Sequence, residues 1–224
     1  YLADRQQENA VYEWLKARDF AVKQANIMNS DGVTKQLCNR LLEPFMWTTM
    51  LITGSKEGWQ NFFKVRCPDY EVFTLSGLYN VKSCKEAREL ALYPDEFKTF
   101  EIALQHNKGQ AEIHMMALAE SIYDAMNESN PTQLLPGMYH IPFRKQINEL
   151  YPDVENDSED VVKISVSMAA RTSYTVVGDE KEISKEKHID LHDRLISQDP
   201  PHSSPLEHCA RAMSDEEHNK FYKG

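Results

Sequence analysis

The sequence predicts a helix-rich chain with some strand content, on three observations. Apolar residues recur at helical spacing in several long stretches, most clearly in 109-GQAEIHMMALAESIYDAMN-127. The stretch 161-VVKISVSMAARTSY-174 opens with Val162, Ile164 and Val166 alternating with Lys163 and Ser165, the period of a strand. A chain of 224 residues, 41% of them hydrophobic, can bury a substantial core, as one large domain or a core domain with an insertion.

The first helix is expected over 7–29, where Ala10, Trp14, Ala17, Ala21, Ala25 and Met28 share a stripe before 30-SDGVTK-35 breaks it. A second is expected from Thr34 to Leu42, disturbed at Pro44. The apolar run 45-FMWTTMLIT-53 suits either helix or strand. A third helix begins near Ser55 and carries Trp59, Phe62, Phe63 and Val65. Residues 67–108 are polar, broken at Pro68, Gly77 and Pro94, and read as an insertion with a weak helical piece at 83–92. In the 109–127 helix, Ile113, Met116, Ala117, Ile122 and Ala125 form the expected buried stripe, with its methionines as core filling. Residues 128–160 are loop-rich and end in the acidic run 153-DVENDSED-160, expected to be a solvated loop. After the strand at 161–166 the chain is expected to turn helical at 167-SMAAR-171. A last helix runs from Ser184, its cap, to Ser197.

The formal net charge is −10, which argues against a general nucleic-acid or membrane-surface binder. It leaves room for a small anionic ligand held by a few arginines. No apolar run is long enough to span a membrane. The four cysteines, at 38, 67, 84 and 209, form no C-x-x-C pair and read as reduced thiols of a cytosolic protein.

His188 and His192 have the i,i+4 spacing that zinc uses, but Ile189 replaces the glutamate of an H-E-x-x-H motif, so the pair reads as a solvated helix face. Glycine-rich phosphate loops are absent. Arg40, in 39-NRLLEPF-45, and Arg66, ending 58-GWQNFFKVR-66, sit beside bulky apolar residues. Partly desolvated guanidinium groups need an anion or carbonyl partner: a ligand, or an internal salt bridge to Glu43 or Glu112. Arg171 is in the same position. The stretch 202-HSSPLEH-208 allows three readings: a metal site, a helix start capped by Ser203 or Ser204 with Pro205 in its first turn, or part of a cofactor pocket.

Six stretches together resemble the flavin-dependent thymidylate synthases, most closely a phage subset with segments in permuted order. They are 34-TKQLCNRLLEPFMWTTMLITG-54, 59-WQNFFKVR-66, 109-GQAEIHMMALAE-120, 137-GMYHIPF-143, 163-KISVSMAARTSY-174 and 202-HSSPLEHCA-210. They cover about half the chain; each is weak alone, and their co-occurrence in this order is specific. The acidic run 153–160 lies near the permutation junction.

The resemblance implies an α+β fold, a mixed sheet flanked by helices, in a single catalytic-type domain over 1–224. It implies a homotetramer with active sites between subunits, in the cytoplasm of the host if phage-encoded. The implied reaction is reductive methylation of dUMP to dTMP, with methylenetetrahydrofolate and NADPH as co-substrates and FAD as cofactor. Arg66 matches the arginine that stabilises negative charge on the pyrimidine, and Arg40 one that contacts the nucleotide on its phosphate side. Asn61, Ser173 and His208 match FAD-contacting positions, which makes 202–208 part of a flavin pocket. Glu207 orients His208 or caps a helix. No cysteine nucleophile is required, because the flavin carries the hard step. The family's arginine-histidine-arginine motif does not occur in these residues. In the permuted subset it is expected upstream of Tyr1, so the chain is expected to be a fragment. The alternative is a non-catalytic nucleotide- or flavin-binding homologue.

Overall fold

The computed structural model describes residues 4–156, 158–172 and 183–223. Contacts divide the chain into two compact units, one of residues 1–51 and 170–182, the other of 52–169 and 183–224.

In the first unit, α1 (Asp4–Ser30) is a single long helix, in agreement with its periodicity. Only Ala25 on it is buried, so the expected apolar stripe is largely open and Trp14 is exposed against Phe45, ring centroids 5.1 Å apart. The second helix, α2 (Lys35–Arg40), starts at Thr34 as expected and ends earlier than expected, two residues before Leu42. The run 45–53 is neither helix nor strand beyond the 3-10 turn Glu43–Phe45. Its residues suit a strand, but a strand needs a neighbour to take its N–H and C=O groups, and it has no ladder partner among the described residues.

The second unit begins with α3 (Lys56–Arg66), whose cap Ser55 accepts from the Gly58 N–H at 3.1 Å. Residues 67–108 then build a lobe with its own core. An antiparallel hairpin of β1 (Tyr70–Thr74) and β2 (Gly77–Val81) packs against α4 (Cys84–Leu90) and α5 (Phe100–Ala103) around Tyr70, Val72, Val81, Ala87 and Phe97. The weak helix expected at 83–92 is α4, and Ser83 caps it through the Glu86 N–H. The hairpin was not expected. Its signal is the branched and aromatic content of both strands around Ser76-Gly77, and Gly77 takes a φ of 134° that side chains disfavour.

α6 (Ile113–Glu128) is capped by Glu112, which accepts from the His114 and Met115 N–H groups. Its buried face is Met116, Ala119 and Glu120, while Ile113 and Ala125 are exposed. The stripe is rotated from the expected one because α6 packs on Phe63 and Cys67. Glu120 joins the lobe to α6: its carboxylate accepts from the Tyr70 hydroxyl at 3.0 Å and from the Cys84 N–H. A buried charge is tolerated when its lone pairs are taken up this way.

The third packing cluster contains β3 (Tyr139–His140), α7 (Arg144–Leu150), α8 (Glu159–Ala170) and α9 (Lys185–Ile196). The strand expected at 161–166 is instead the middle of α8. Val161, Ile164, Ser165 and Met168 also satisfy i, i+3, i+4, i+7, and Glu159 and Asp160 favour a helix start. Burial on nearly every side, at Val161, Ile164, Ser165, Val166 and Ser167, let the alternation imitate a strand. α9 begins and ends where expected, with Ser184 accepting from the Lys187 N–H. β4 (Ala210–Arg211) pairs with β3, and α10 (Asp215–Lys223) follows. The architecture is α+β, and its strands among the described residues form two small antiparallel sheets in place of the expected mixed sheet. No helix among them is long and apolar enough to cross a membrane.

Candidate functional site

Several of the singled-out stretches meet in the second unit. β3 lies in 137-GMYHIPF-143, and its Tyr139 pairs with Arg211, directly after 202-HSSPLEHCA-210. On α8 the buried Ser165 hydroxyl donates to the Pro142 carbonyl at 2.8 Å, and the Cys209 thiol lies 3.5 Å from the Ser165 oxygen. One serine thus connects three stretches that are distant in sequence. Phe143 closes 137–143 at φ 61° and ψ 14°, a left-handed conformation that costs a bulky side chain about 1–3 kcal/mol. Its ring packs against the Ile147 and Ile164 cluster, which holds it there.

The 202–208 stretch is a helix start. Ser204–His208 is a 3-10 turn with Ser203 at the cap position, making no side-chain cap bond, and Pro205 buried in the first turn. His208 is half-buried, and its Nδ1 lies 2.9 Å from the Thr53 hydroxyl. Thr53 precedes the α3 cap by two residues, so His208 is held beside the start of α3. Thr53, rather than Glu207, is the described partner that orients His208.

α3 positions the other two expected residues of this unit. Trp59, Phe62, Phe63 and Arg66 share one helical stripe, and the aromatic members pack on α6. Arg66 is exposed, which corrects the expectation of a desolvated guanidinium. It is the last residue of the helix, beyond the packed turns, where a cation complements the helix C-terminus. Asn61 is exposed on another face of the helix. α3 has 11 residues, so at 1.5 Å per residue Arg66 and the His208 end are roughly 15 Å apart. Among the described residues Asn61, Arg66 and His208 do not hydrogen-bond to one another.

In the first unit Arg40 is also exposed, against expectation, and its Nη1 lies 3.4 Å from the Glu43 carboxylate, the internal pair weighed from the sequence. Arg171 is half-buried, and its Nε is buried with no hydrogen-bond partner among the described residues. Ser173 lies outside the described residues.

The histidines of α9 do not form a solvated face. His188 is 5% exposed and His192 7%. The His188 Nδ1 is 2.8 Å from the Ser167 hydroxyl on α8, and the His192 Nδ1 is 2.8 Å from Asp193. His192 and Lys163 together hold the Asp193 carboxyl below its ordinary range. No group of three or more His, Cys, Asp or Glu among the described residues is placed to hold a metal ion. Burial pushes the Cys67 thiol up to about 11 and Cys84 to about 12, and raises Cys209. None of these three is a ready thiolate at neutral pH.

A cleft of about 660 Å³ runs along β3, lined by Leu134, Tyr139, His140, Arg144 and Asn156 among others. Arg144 donates to the Asn156 and Tyr139 carbonyls at 2.7 and 3.0 Å. The volume suits a small ligand, but Arg40, Asn61, Arg66 and His208 do not line it. No family model matches this chain, and no curated protein or solved structure matches it either.

Proposed function

We propose that this chain is the substrate- and flavin-binding part of a flavin-dependent thymidylate synthase, which converts dUMP to dTMP. The observation that supports this most is the convergence in the second unit. Stretches 137–143, 163–174 and 202–210 resemble that family separately, and they join through Pro142, Ser165 and Cys209, as parts of one pocket must.

The available groups suit the chemistry. Thr53 and His208 offer a hydroxyl and an imidazole, and Asn61 an exposed amide, all able to hydrogen-bond an isoalloxazine without adding a fixed charge. Bound there with Ser173 as a further contact, FAD reduced by NADPH would supply the hydride for the carbon that methylenetetrahydrofolate donates. Arg66 stabilises charge that builds on the uracil carbonyls as C5 becomes nucleophilic. Its exposure at the end of α3 leaves the guanidinium open to substrate. Arg40 takes the nucleotide phosphate. Its present pair with Glu43 is exposed and weak, and exchanges readily for a phosphate fork. The buried Nε–H of Arg171 is a further donor for a nucleotide or flavin oxygen. The assembly is the family's homotetramer, whose active sites lie between subunits. The setting is the cytoplasm, that of the host if the protein is phage-encoded.

Arg66→Ala tests the assignment in protein that also carries the arginine-histidine-arginine segment. Formation of dTMP falls by at least a hundredfold, while bound flavin, read from its visible absorption, is retained. Normal turnover in that variant removes Arg66 from the chemistry.

A further inference from the structure

The hairpin of the 67–108 lobe has one finished edge and one open edge. On β1 the Phe73 carbonyl accepts from the Leu92 N–H at 2.9 Å, and just before the strand the Asp69 carbonyl accepts from the Lys108 N–H at 2.8 Å. In an antiparallel strand the N–H and C=O of one residue point to the same side. Phe73 therefore bonds away from β2. The register Phe73↔Leu78 then makes Leu78 bond away from β1, and by the same parity Asn80 does too. No strand among the described residues takes up these four groups. The edge is accessible: Leu78 is 49% exposed and Tyr79 48%. It carries no proline, lysine or other charge, the usual devices that blunt an edge.

We propose that β2 pairs antiparallel with β2 of a second copy, joining two hairpins into a four-stranded sheet around a two-fold axis at Tyr79. Parity fixes the register. Leu78 exchanges two hydrogen bonds with Asn80 of the second copy, and Asn80 two with Leu78 of the second copy. Tyr79 faces Tyr79 of the second copy as a non-hydrogen-bonded pair, with Cα atoms about 4.5 Å apart.

Three features select an identical strand over an unrelated peptide. The open groups are symmetric about Tyr79, so a second β2 satisfies all of them. The strand itself is uncharged in a chain of net charge −10; the charge nearest it in sequence, Lys82, falls opposite Ser76 of the second copy, and the Asp69 carboxylate beside it is taken up by the Asn80 amide at 2.9 Å. The two tyrosines make a favourable aromatic cross-strand pair. Pairing also covers part of the half-exposed Leu78 and Tyr79 side chains on the edge itself. The lobe lies outside the stretches that carry the thymidylate synthase reading, so this pairing stands or falls independently of it.

The test uses the full chain in two variants and one control. Tyr79→Cys, under mild oxidation, forms a disulfide-linked dimer on a non-reducing gel, because about 4.5 Å lies within bridging range. Asn80→Cys does not, because its counterpart sits two residues along the opposing strand. Tyr79→Lys sets like charges face to face and halves the mass measured by sedimentation, with an unchanged far-ultraviolet circular dichroism spectrum. The pairing is overturned if Tyr79→Cys stays uncrosslinked while Tyr79→Lys sediments with the wild-type mass. Crosslinking of Asn80→Cys in place of Tyr79→Cys overturns the register.

Discussion

Thr53 and His208 are 155 residues apart in the chain and share a hydrogen bond of 2.9 Å. Nothing local in either stretch announces that pair. Thr53 sits at the end of an apolar run, and only the fold gives its hydroxyl a role. His208, by contrast, is legible from its resemblance to a flavin-contacting position. Removing the hydroxyl with Thr53→Val leaves the ring unoriented. Under the proposed flavin-binding role, the loss of one net hydrogen bond, about 0.5–1.5 kcal/mol, is expected to weaken FAD binding by roughly twofold to twelvefold. A flavin fluorescence titration measures it, and unchanged affinity removes Thr53 from the pocket. Arg40 and Arg66 teach the opposite lesson. Apolar neighbours in sequence suggest desolvation, yet both side chains are exposed: Arg66 ends α3 beyond the turns that pack on α6, and around Arg40 the neighbours Leu37 and Leu41 are themselves exposed.

Elements bounded by polar caps were legible: Ser55, Ser83 and Ser184 each accept from the N–H three residues on and start a helix where the sequence placed one or a piece of one. The start of α8 reads as a strand because a helix buried on most sides loses its polar face, and with it the 3.6-residue period. In α9 the helical period is intact, with His188, Leu191, His192 and Leu195 as its buried stripe; the polar character of the two histidines suggests solvent, but their partners are Ser167 and Asp193.

At α10, Ser214 and Glu217 form a reciprocal cap, and Arg211 on β4 adds an ion pair at 2.8 Å. These contacts hold the Glu217 carboxyl at about 2, below its usual 4.5, with Arg211 the main cause. A depressed carboxylate stabilises the fold above its unfolded value and loses that contribution as pH falls through the folded one. The Ser214 amide resonance is therefore expected to titrate near pH 2, with the tether between β4 and α10 weakening between about 4.5 and 2. In Glu217→Gln, which keeps a cap acceptor but not the charge, that titration disappears. A Ser214 amide that titrates near 4.5 in the wild type contradicts the pairing.

At the scale of the whole molecule, two kinds of information separate. Composition and periodicity give a helix-rich chain with a core, while the division into two units depends on long-range contacts and is invisible in the sequence. The 67–108 block shows why. Its polar surface reads as an insertion, yet it folds around Tyr70 and Phe97 and is fastened to α6 through Glu120, a partner from outside the block. The candidate site is legible as a set of stretches, and its assembly through Ser165 is not.

The central claim is that these stretches form a flavin and nucleotide pocket. The visible absorption spectrum of the purified, desalted chain after incubation with FAD, recorded with and without dUMP, tests it most directly. The account predicts a retained flavin band that shifts when dUMP is added; a chain that retains no flavin contradicts it.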